Sequence, residues 1–155
     1  MTPAINAAKR LKINYTLHEY SYDAAVESFG LEAVEKLNVA PARVFKTLIV
    51  FLDNNELVAG IIPVPKKLSL KLIAKAMGEK KAVMADKLSV ERTTGYVLGG
   101  VSPLGQKKRL KSVIDVSAMQ FETIFVSAGR RGLEIELSPK NLIMLTSSVV
   151  ADIAQ

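Results

Sequence analysis

The hydrophobic and polar positions along the chain change their period several times. The clearest unit is KTLIVFLDNNELVAGIIPV (residues 46–64), in which two apolar runs rich in β-branched residues flank an Asp-Asn-Asn segment. This pattern predicts a β-hairpin. NYTLHEY (residues 14–20) alternates in the manner of a strand. Three more short strands are predicted at SVIDVSA, TIFVSAG and LEIEL (residues 112–118, 123–129 and 133–137).

Helices are predicted where capping residues precede apolar positions at helical spacing. Four helix starts are marked in this way, at Thr2–Pro3, Ser69, Asp86 and Pro139. A fifth helix is predicted over LEAVEKLNV (residues 31–39), with its apolar stripe at Leu31, Val34 and Leu37. Gly78 and Gly95 suit the ends of the helices that begin after Ser69 and Asp86.

Strands and helices alternate irregularly around the central hairpin. The order therefore predicts a mixed α/β domain of the α+β kind rather than a doubly wound parallel sheet. A length of 155 residues favours one domain, and the chain contains neither an internal repeat nor a low-complexity linker. We expect a single domain over residues 1–155. No signal-peptide core and no run of ~18 apolar residues is present, so we expect a cytoplasmic protein with no membrane partner.

Charge and composition narrow the chemistry. The formal net charge is +6, which favours a polyanionic partner such as nucleic acid, although a lysine-rich solvated surface explains the same charge equally well. The chain has no cysteine and one histidine, His18, so thiolate and all-histidine metal sites are excluded and no metal is expected. Nucleophile elbows, Walker loops and dinucleotide fingerprints are also missing. An enzyme with this sequence would take its nucleophile from water or from the substrate.

The stretch GYVLGGVSPLGQKKRLK (residues 95–111) is the strongest candidate for a site. Gly99 and Gly100 allow close approach of a ligand to the backbone, and Pro103 stiffens the turn. Backbone N–H groups in such a loop can hold an anion or a carbonyl oxygen. An ordinary Gly-Pro turn between strands accounts for the same residues. The cations that follow suit a phosphate backbone or a solvated face.

Lys46 is the second informative position, because it lies where an apolar strand is about to begin. A lysine there is either an edge residue with its amine in water or a fixed cation at the floor of a pocket. Tyr20 and Phe29 could supply an aromatic wall, or pack in the core. A lone histidine such as His18 is more often a packing or surface residue than a base.

Taken together, four segments resemble the YbaK-type editing domains, bacterial Cys-tRNA(Pro) deacylases that are related to the editing insertion of prolyl-tRNA synthetase. These segments are MTPAINAAKRLKINYTLHEY, RVFKTLIV, TGYVLGGVSPLGQKKRL and SAGRRGLEIEL. The resemblance covers essentially the whole chain, from residue 1 to about residue 153. It implies the fold of that family, a mixed and mostly antiparallel sheet, partly barrel-like, surrounded by helices.

The resemblance also implies site residues. The family's catalytic lysine and its glycine-x-x-x-proline loop fall on Lys46, Gly99, Gly100, Val101, Ser102 and Pro103. Its substrate-binding positions fall on Tyr20, Phe29, Ser127, Gly129 and Glu134, the last replacing an aspartate common in related sequences. The basic residues that would meet tRNA are Lys107, Lys108, Arg109 and Arg130.

The activity implied by the resemblance is hydrolysis of Cys-tRNA(Pro), without a cofactor or a metal. In that chemistry the cysteinyl thiol attacks its own ester. The implied partners are the acceptor end of mischarged tRNA(Pro) and prolyl-tRNA synthetase, and no DNA. Two alternatives stay open at this point. One is a related editing enzyme for Ala-tRNA(Pro) or Ser-tRNA, and the other is a module that binds tRNA or the synthetase without catalysis.

Overall fold

Five helices surround the sheets in the computed structural model, which describes residues 1–23 and 29–155. They are α1 (Pro3–Arg10), α2 (Phe29–Leu37), α3 (Leu70–Ala76), α4 (Lys87–Thr94) and α5 (Pro139–Thr146). Two short 3₁₀ segments, Pro41–Arg43 and Val116–Gln120, connect other elements. Within the described residues, no helix is both long enough and apolar enough to cross a membrane.

The predicted helix starts are confirmed. The side chains of Thr2, Ser69, Asp86 and Ser138 each accept a hydrogen bond from a backbone N–H in the first turn of the helix that follows. Gly95 ends α4 in the left-handed conformation, at φ +79°. The predicted stripe of α2 is confirmed at Val34 and Leu37, which pack against a buried cluster, and is wrong at Leu31, which is 51% exposed. Glu32 is buried beside this stripe and accepts a hydrogen bond from Arg131 Nε (3.0 Å).

The strands form two sheets. They are β1 (Thr16–Glu19), β2 (Phe45–Leu52), β3 (Leu57–Pro63), β4 (Ala82–Met84), β5 (Lys111–Asp115), β6 (Ile124–Arg130), β7 (Leu133–Leu137) and β8 (Val149–Ala151). An antiparallel sheet has the order β1-β7-β6, and a mixed sheet has the order β4-β2-β3-β5-β8. The predicted hairpin is β2–β3, with Phe45 opposite Pro63. The mixed α+β class is confirmed.

A single parallel bridge, between Val44 and Phe125, connects the two sheets. Both sheets remain open, so the expected barrel-like part is limited to this junction. One core lies between the sheets and includes Phe45, Ile61, Val126 and Ile135. A second core lies on the other side of the mixed sheet, where α3 packs over it.

The outer edge of β2 is left partly uncovered, and this positions the site. On that side, β4 pairs with Val50–Leu52, the N–H of Ala85 bonds to the carbonyl of Ile49 (2.9 Å), and β6 forms a bridge at Val44. The N–H of Leu52 bonds to the carbonyl of Glu56, and by alternation the N–H and C=O of Thr47 point away from β3. A gap of about four residues, roughly 13 Å of strand, therefore opens along this edge.

Candidate active site

A cavity of about 510 Å³ occupies this gap. Its walls come from the first half of β2, from α2, from β6 and β7, and from the loop that follows α4. Six of the residues expected at the site line it, namely Tyr20, Lys46, Gly99, Val101, Ser127 and Glu134. Phe29 begins α2, but its side chain lies outside the described part of the structure.

The glycine-rich loop is held by internal hydrogen bonds. Tyr96, buried beneath it, donates from its hydroxyl to the carbonyl of Leu104 (2.6 Å). The hydroxyl of Ser102, which is fully buried, accepts a hydrogen bond from the N–H of Leu104 (3.2 Å). Gln106 donates to the carbonyl of Ser102 (3.1 Å). Ser102 therefore shapes the loop from inside rather than facing the cavity.

The two adjacent glycines have different positions. Gly99 has φ +94° and lines the cavity. Gly100 lies against β6, where a Cβ atom would come within 2.7 Å of the Cα of Arg130. Pro103 is buried and is not a lining residue. The motif thus divides into cavity-facing positions, Gly99 and Val101, and positions that anchor the loop.

Lys46 extends from the start of β2 into the cavity wall and is half-buried. Burial lowers the pKa of its amine, because the charged form loses hydration. Among the described residues, no carboxylate lies within ion-pair distance of this amine. The amine therefore keeps all of its hydrogen-bonding capacity for a ligand.

Glu134 is the only acidic residue among the described lining residues, and it is 6% exposed. It lies on β7 opposite Ser127 of β6 and His18 of β1. Burial raises the pKa of its carboxyl to about 8, so the neutral acid predominates at pH 7. Within the described chain its carboxyl has no hydrogen-bond partner. This carboxyl therefore keeps its hydrogen-bonding capacity for a ligand.

Two further polar side chains, those of Thr47 and Tyr20, line the cavity. Thr47 lines the cavity, and its hydroxyl is buried with no hydrogen-bond partner in the described structure. Burial, and then the charge of Glu134, raise the pKa of Tyr20 to about 12, so the phenol stays protonated. Sequence reasoning missed Thr47, because a threonine inside an apolar run is typical of any strand.

Gly129, the glycine of the predicted Ser-x-Gly segment, has a structural role. Gly129 lies at a bulge in β6 with φ +109°, and a Cβ atom there would be 2.8 Å from the ring of Tyr96. Its N–H donates to the hydroxyl of Ser127 (3.2 Å), which does line the cavity. Gly129 thus orients Ser127 without being a lining residue itself.

The predicted tRNA contacts are exposed and lie outside the cavity lining. The backbones of Lys107 and Lys108 bond to the end of α4, and Arg109 donates to the carbonyl of Leu145 in the last turn of α5 and to the hydroxyl of Ser147. Arg130 Nη2 lies 3.9 Å from Glu19. The cavity is instead lined by Lys66 and Lys67, which were not predicted. The predicted hairpin is the sequence signal that could have identified these two lysines, because residues that follow β3 must lie beside the start of β2.

The cavity can bind an ester beside a cation, Lys46, and beside a carboxyl that can exchange a proton, Glu134. Lys46 and the backbone at Gly99 can hold oxygen atoms, and Glu134 can accept or donate a proton because its pKa is near neutral. A volume of about 510 Å³ suits a ligand of nucleoside size. Among the described residues, no group of three or more His, Asp or Glu side chains is arranged to hold a metal ion.

Comparison with known proteins gives the family. The model of the aminoacyl-tRNA editing domain matches residues 25–145. An Enterococcus faecalis protein named "Putative Cys-tRNA(Pro)/Cys-tRNA(Cys) deacylase EbsC" is 37% identical over 153 residues, covering 98% of this chain and 92% of that protein. A Bacillus subtilis protein of unassigned function, YwhH, is 29% identical over 119 residues, covering 77% of this chain and 75% of its own.

Solved structures agree on the fold. The crystal structure of the hypothetical protein APE2540 superposes with a TM-score of 0.89 at 26% identity, covering 99% of this chain and all of that one. A structure described as a putative trans-editing enzyme for prolyl-tRNA synthetase gives 0.83 at 18% identity, covering 100% and 99% of the two chains, and supports the fold alone. The expected enzyme class, an aminoacyl-tRNA deacylase, is confirmed by the family. The chain belongs to the aminoacyl-tRNA editing domain family.

Proposed function

We propose that this enzyme removes cysteine from mischarged tRNA(Pro). The observation that carries the proposal is the convergence, in one cavity, of Lys46, the Gly99 backbone and Glu134, a buried residue whose carboxyl has no hydrogen-bond partner in the described structure. The E. faecalis relative, whose name specifies Cys-tRNA(Pro) and Cys-tRNA(Cys), supports cysteine as the amino acid. The cavity has room for the aminoacyl group together with the terminal ribose.

The proposed reaction uses a nucleophile from the substrate. The cysteinyl thiolate attacks the carbonyl carbon of its own ester, and the bond from that carbon to the ribose oxygen breaks. The amino acid leaves as a thiolactone, and the ribose oxygen takes up the proton that the thiol gave up. Holding the thiol and the ester carbon in the correct orientation can supply several kcal/mol of the barrier, on the order of 7 or more. The enzyme then needs to position the thiol and to polarise the ester carbonyl. This matches a sequence that has no cysteine and no serine nucleophile motif.

Each lining group has a role in this proposal. Lys46 and the loop at Gly99 and Val101 polarise the ester carbonyl and hold the ribose, with Gly100, Ser102 and Pro103 keeping the loop in place. Glu134 accepts a hydrogen bond from the ammonium group of the amino acid, aided by Ser127 and the hydroxyl of Thr47. An ammonium group beside Glu134 favours the ionised carboxylate, so binding would release its proton at neutral pH.

The remaining expected residues are assigned to the amino-acid pocket or to contacts with tRNA. We propose that Tyr20 and Phe29 border the amino-acid pocket, and that the bulge at Gly129 sets the position of Ser127. The basic residues after the loop, Lys107, Lys108 and Arg109, together with Arg130, would face the acceptor end of tRNA(Pro). Prolyl-tRNA synthetase, which produces the mischarged substrate, is the proposed protein partner.

The test is a deacylation assay on tRNA(Pro) charged separately with cysteine, alanine, serine and proline. We expect cysteine to be released fastest and proline to be spared. A thiol-reactive trap should capture the thiolactone in single-turnover reactions with the cysteinyl substrate. Faster release of alanine or serine would assign a different editing substrate. Binding of tRNA without any release would mean that this chain binds but does not catalyse, and would refute the proposal.

A further inference from the structure

Lys66 and Lys67 form an adjacent pair of cations at the mouth of the cavity. They lie in the turn between β3 and α3, and both are exposed and line the cavity. The hairpin register brings them there, because Pro63 at the end of β3 lies opposite Phe45 at the start of β2. Among the described residues, no carboxylate is within ion-pair distance of either lysine.

The turn that carries the two lysines is fixed by the end of the chain. The N–H of Lys67 bonds to the carbonyl of Gln155 (2.9 Å), and the N–H of Gln155 bonds back to the carbonyl of Lys67 (2.8 Å). Lys66 donates its N–H to the carbonyl of Pro63 (3.0 Å), and a bridge joins Leu68 to Ala154. The backbone is therefore preorganised, so binding at this turn orders two side chains without ordering the backbone.

The charge balance of the cavity favours an anion at this end. Three lysines line it, Lys46 deep in the wall and Lys66 with Lys67 at the mouth. Glu134, the one acidic lining residue in the described structure, is buried on β7. Lysine amines on flexible stems bind phosphates as point charges and tolerate varied geometry. A ligand with polar groups inside the cavity and anionic groups at its mouth matches this distribution.

We infer that Lys66 and Lys67 bind backbone phosphates of the single-stranded 3′ end of tRNA, which leaves the cavity across the β3–α3 turn. This inference rests on the proposed function, because the terminal ribose in the cavity fixes where the next phosphates lie. The two lysines act as positioning residues. They hold the strand and do not touch the reacting ester.

The test compares two double variants with the same loss of charge. Lys66→Ala/Lys67→Ala removes the pair at the mouth, and Lys80→Ala/Lys81→Ala removes an exposed adjacent pair that is not in the cavity lining. Ala82, next to Lys81, pairs with Leu52 at the far end of β2, which is about 20 Å along the strand from Lys46. Thermal melts of both variants check that the fold is retained.

Binding of deacylated tRNA(Pro) is measured over a range of potassium chloride concentrations. We expect the variant at the mouth to bind several-fold more weakly, and its plot of log affinity against log salt to be shallower by about 1.4, at ~0.7 for each phosphate of a single strand. The control pair should shift the slope by much less. Equal slopes for the wild-type protein and the Lys66/Lys67 variant would overturn the inference.

A substrate without phosphates separates this inference from the proposed function. The wild-type enzyme and the Lys66/Lys67 variant should release cysteine from 3′-O-cysteinyl adenosine at the same rate, while the variant loses kcat/KM on Cys-tRNA(Pro). A matching loss on the adenosine ester would place the lysines at the reacting group and would overturn the inference. If the wild-type enzyme releases cysteine from neither substrate, the proposed function fails, and the salt slope still decides whether the lysines bind tRNA.

Discussion

Replacing Glu134 with glutamine should remove a dependence of stability on pH. Burial raises the pKa of this carboxyl in the folded protein to about 8, from an ordinary value of 4.5. The folded state therefore holds the proton more tightly than the unfolded state does, and stability is lost as pH rises between these values. At about 1.4 kcal/mol per pH unit, the full change amounts to about 5 kcal/mol. Glutamine has a similar size and does not titrate.

The assay is urea unfolding at several pH values between 5 and 9. We expect the free energy of unfolding of Glu134→Gln, relative to wild type, to rise with a slope approaching 1.4 kcal/mol per pH unit and to level off above pH 8. Glu136→Gln is the control. Burial raises the pKa of the Glu136 carboxyl, but hydrogen bonds from Thr123 and His18 outweigh it and the net pKa is lowered. Its contribution is present at neutral pH and is lost on acidification, so its difference from wild type changes only at acidic pH.

A constant offset between wild type and Glu134→Gln from pH 5 to pH 9 would refute the reasoning. It would mean that water or a bound ion reaches the carboxyl and keeps its pKa close to the ordinary value. A cationic ligand provides a second check, because pairing with Glu134 would release a proton near pH 7. Calorimetry with a non-hydrolysable cysteinyl analogue in buffers of different ionisation enthalpy measures that proton in the wild-type protein, and Glu134→Gln should not release it.

Three other changes test the site. Lys46→Ala should abolish nearly all deacylation with little change in the melting temperature, because its amine has no ion-pair partner in the described structure; activity close to wild type would make Lys46 an edge residue. Gly99→Val should block turnover, and the strain of a branched residue at φ +94° should cost about 1–3 kcal/mol in urea unfolding. His18→Ala should leave the rate almost unchanged but lower stability, because the ring bonds to Glu136 (2.8 Å) and packs on Phe125; a large fall in single-turnover rate would identify His18 as a base.

Local signals in the sequence predicted much of the fold. The capping residues Thr2, Ser69 and Asp86 act within one turn of the chain, and the hairpin depends on its own two strands, so both could be predicted from adjacent residues. The strands β4 and β8 were missed because each has three residues and forms only by pairing with a distant partner. The burial of Glu32 was missed because its ion pair with Arg131 joins residues far apart in the sequence.

The candidate site was predicted as a set of residues but not as a geometry. The motif of residues 99–103 drew attention to five consecutive positions, yet packing against β6 takes Gly100 out of the lining. Glu134 was expected at the site, but its burial and raised pKa depend on strands that flank it on both sides. Lys66 and Lys67 follow a strand end in a region with no motif, so only the hairpin register reveals them.

The uncovered edge of β2 has a consequence for how the site can change over evolution. The N–H and C=O of Thr47 point into the gap, and every residue type except proline presents the same two groups. The hydrogen-bonding groups of this edge therefore stay in place through substitutions along β2 that keep the strand. The bridge to β6 and the pairing with β4 close the gap at either end, so the exposed backbone of this edge is limited to about four residues. The shape of the cavity can then change through side chains on the facing walls, such as Leu31 or Val101, while the backbone edge stays constant.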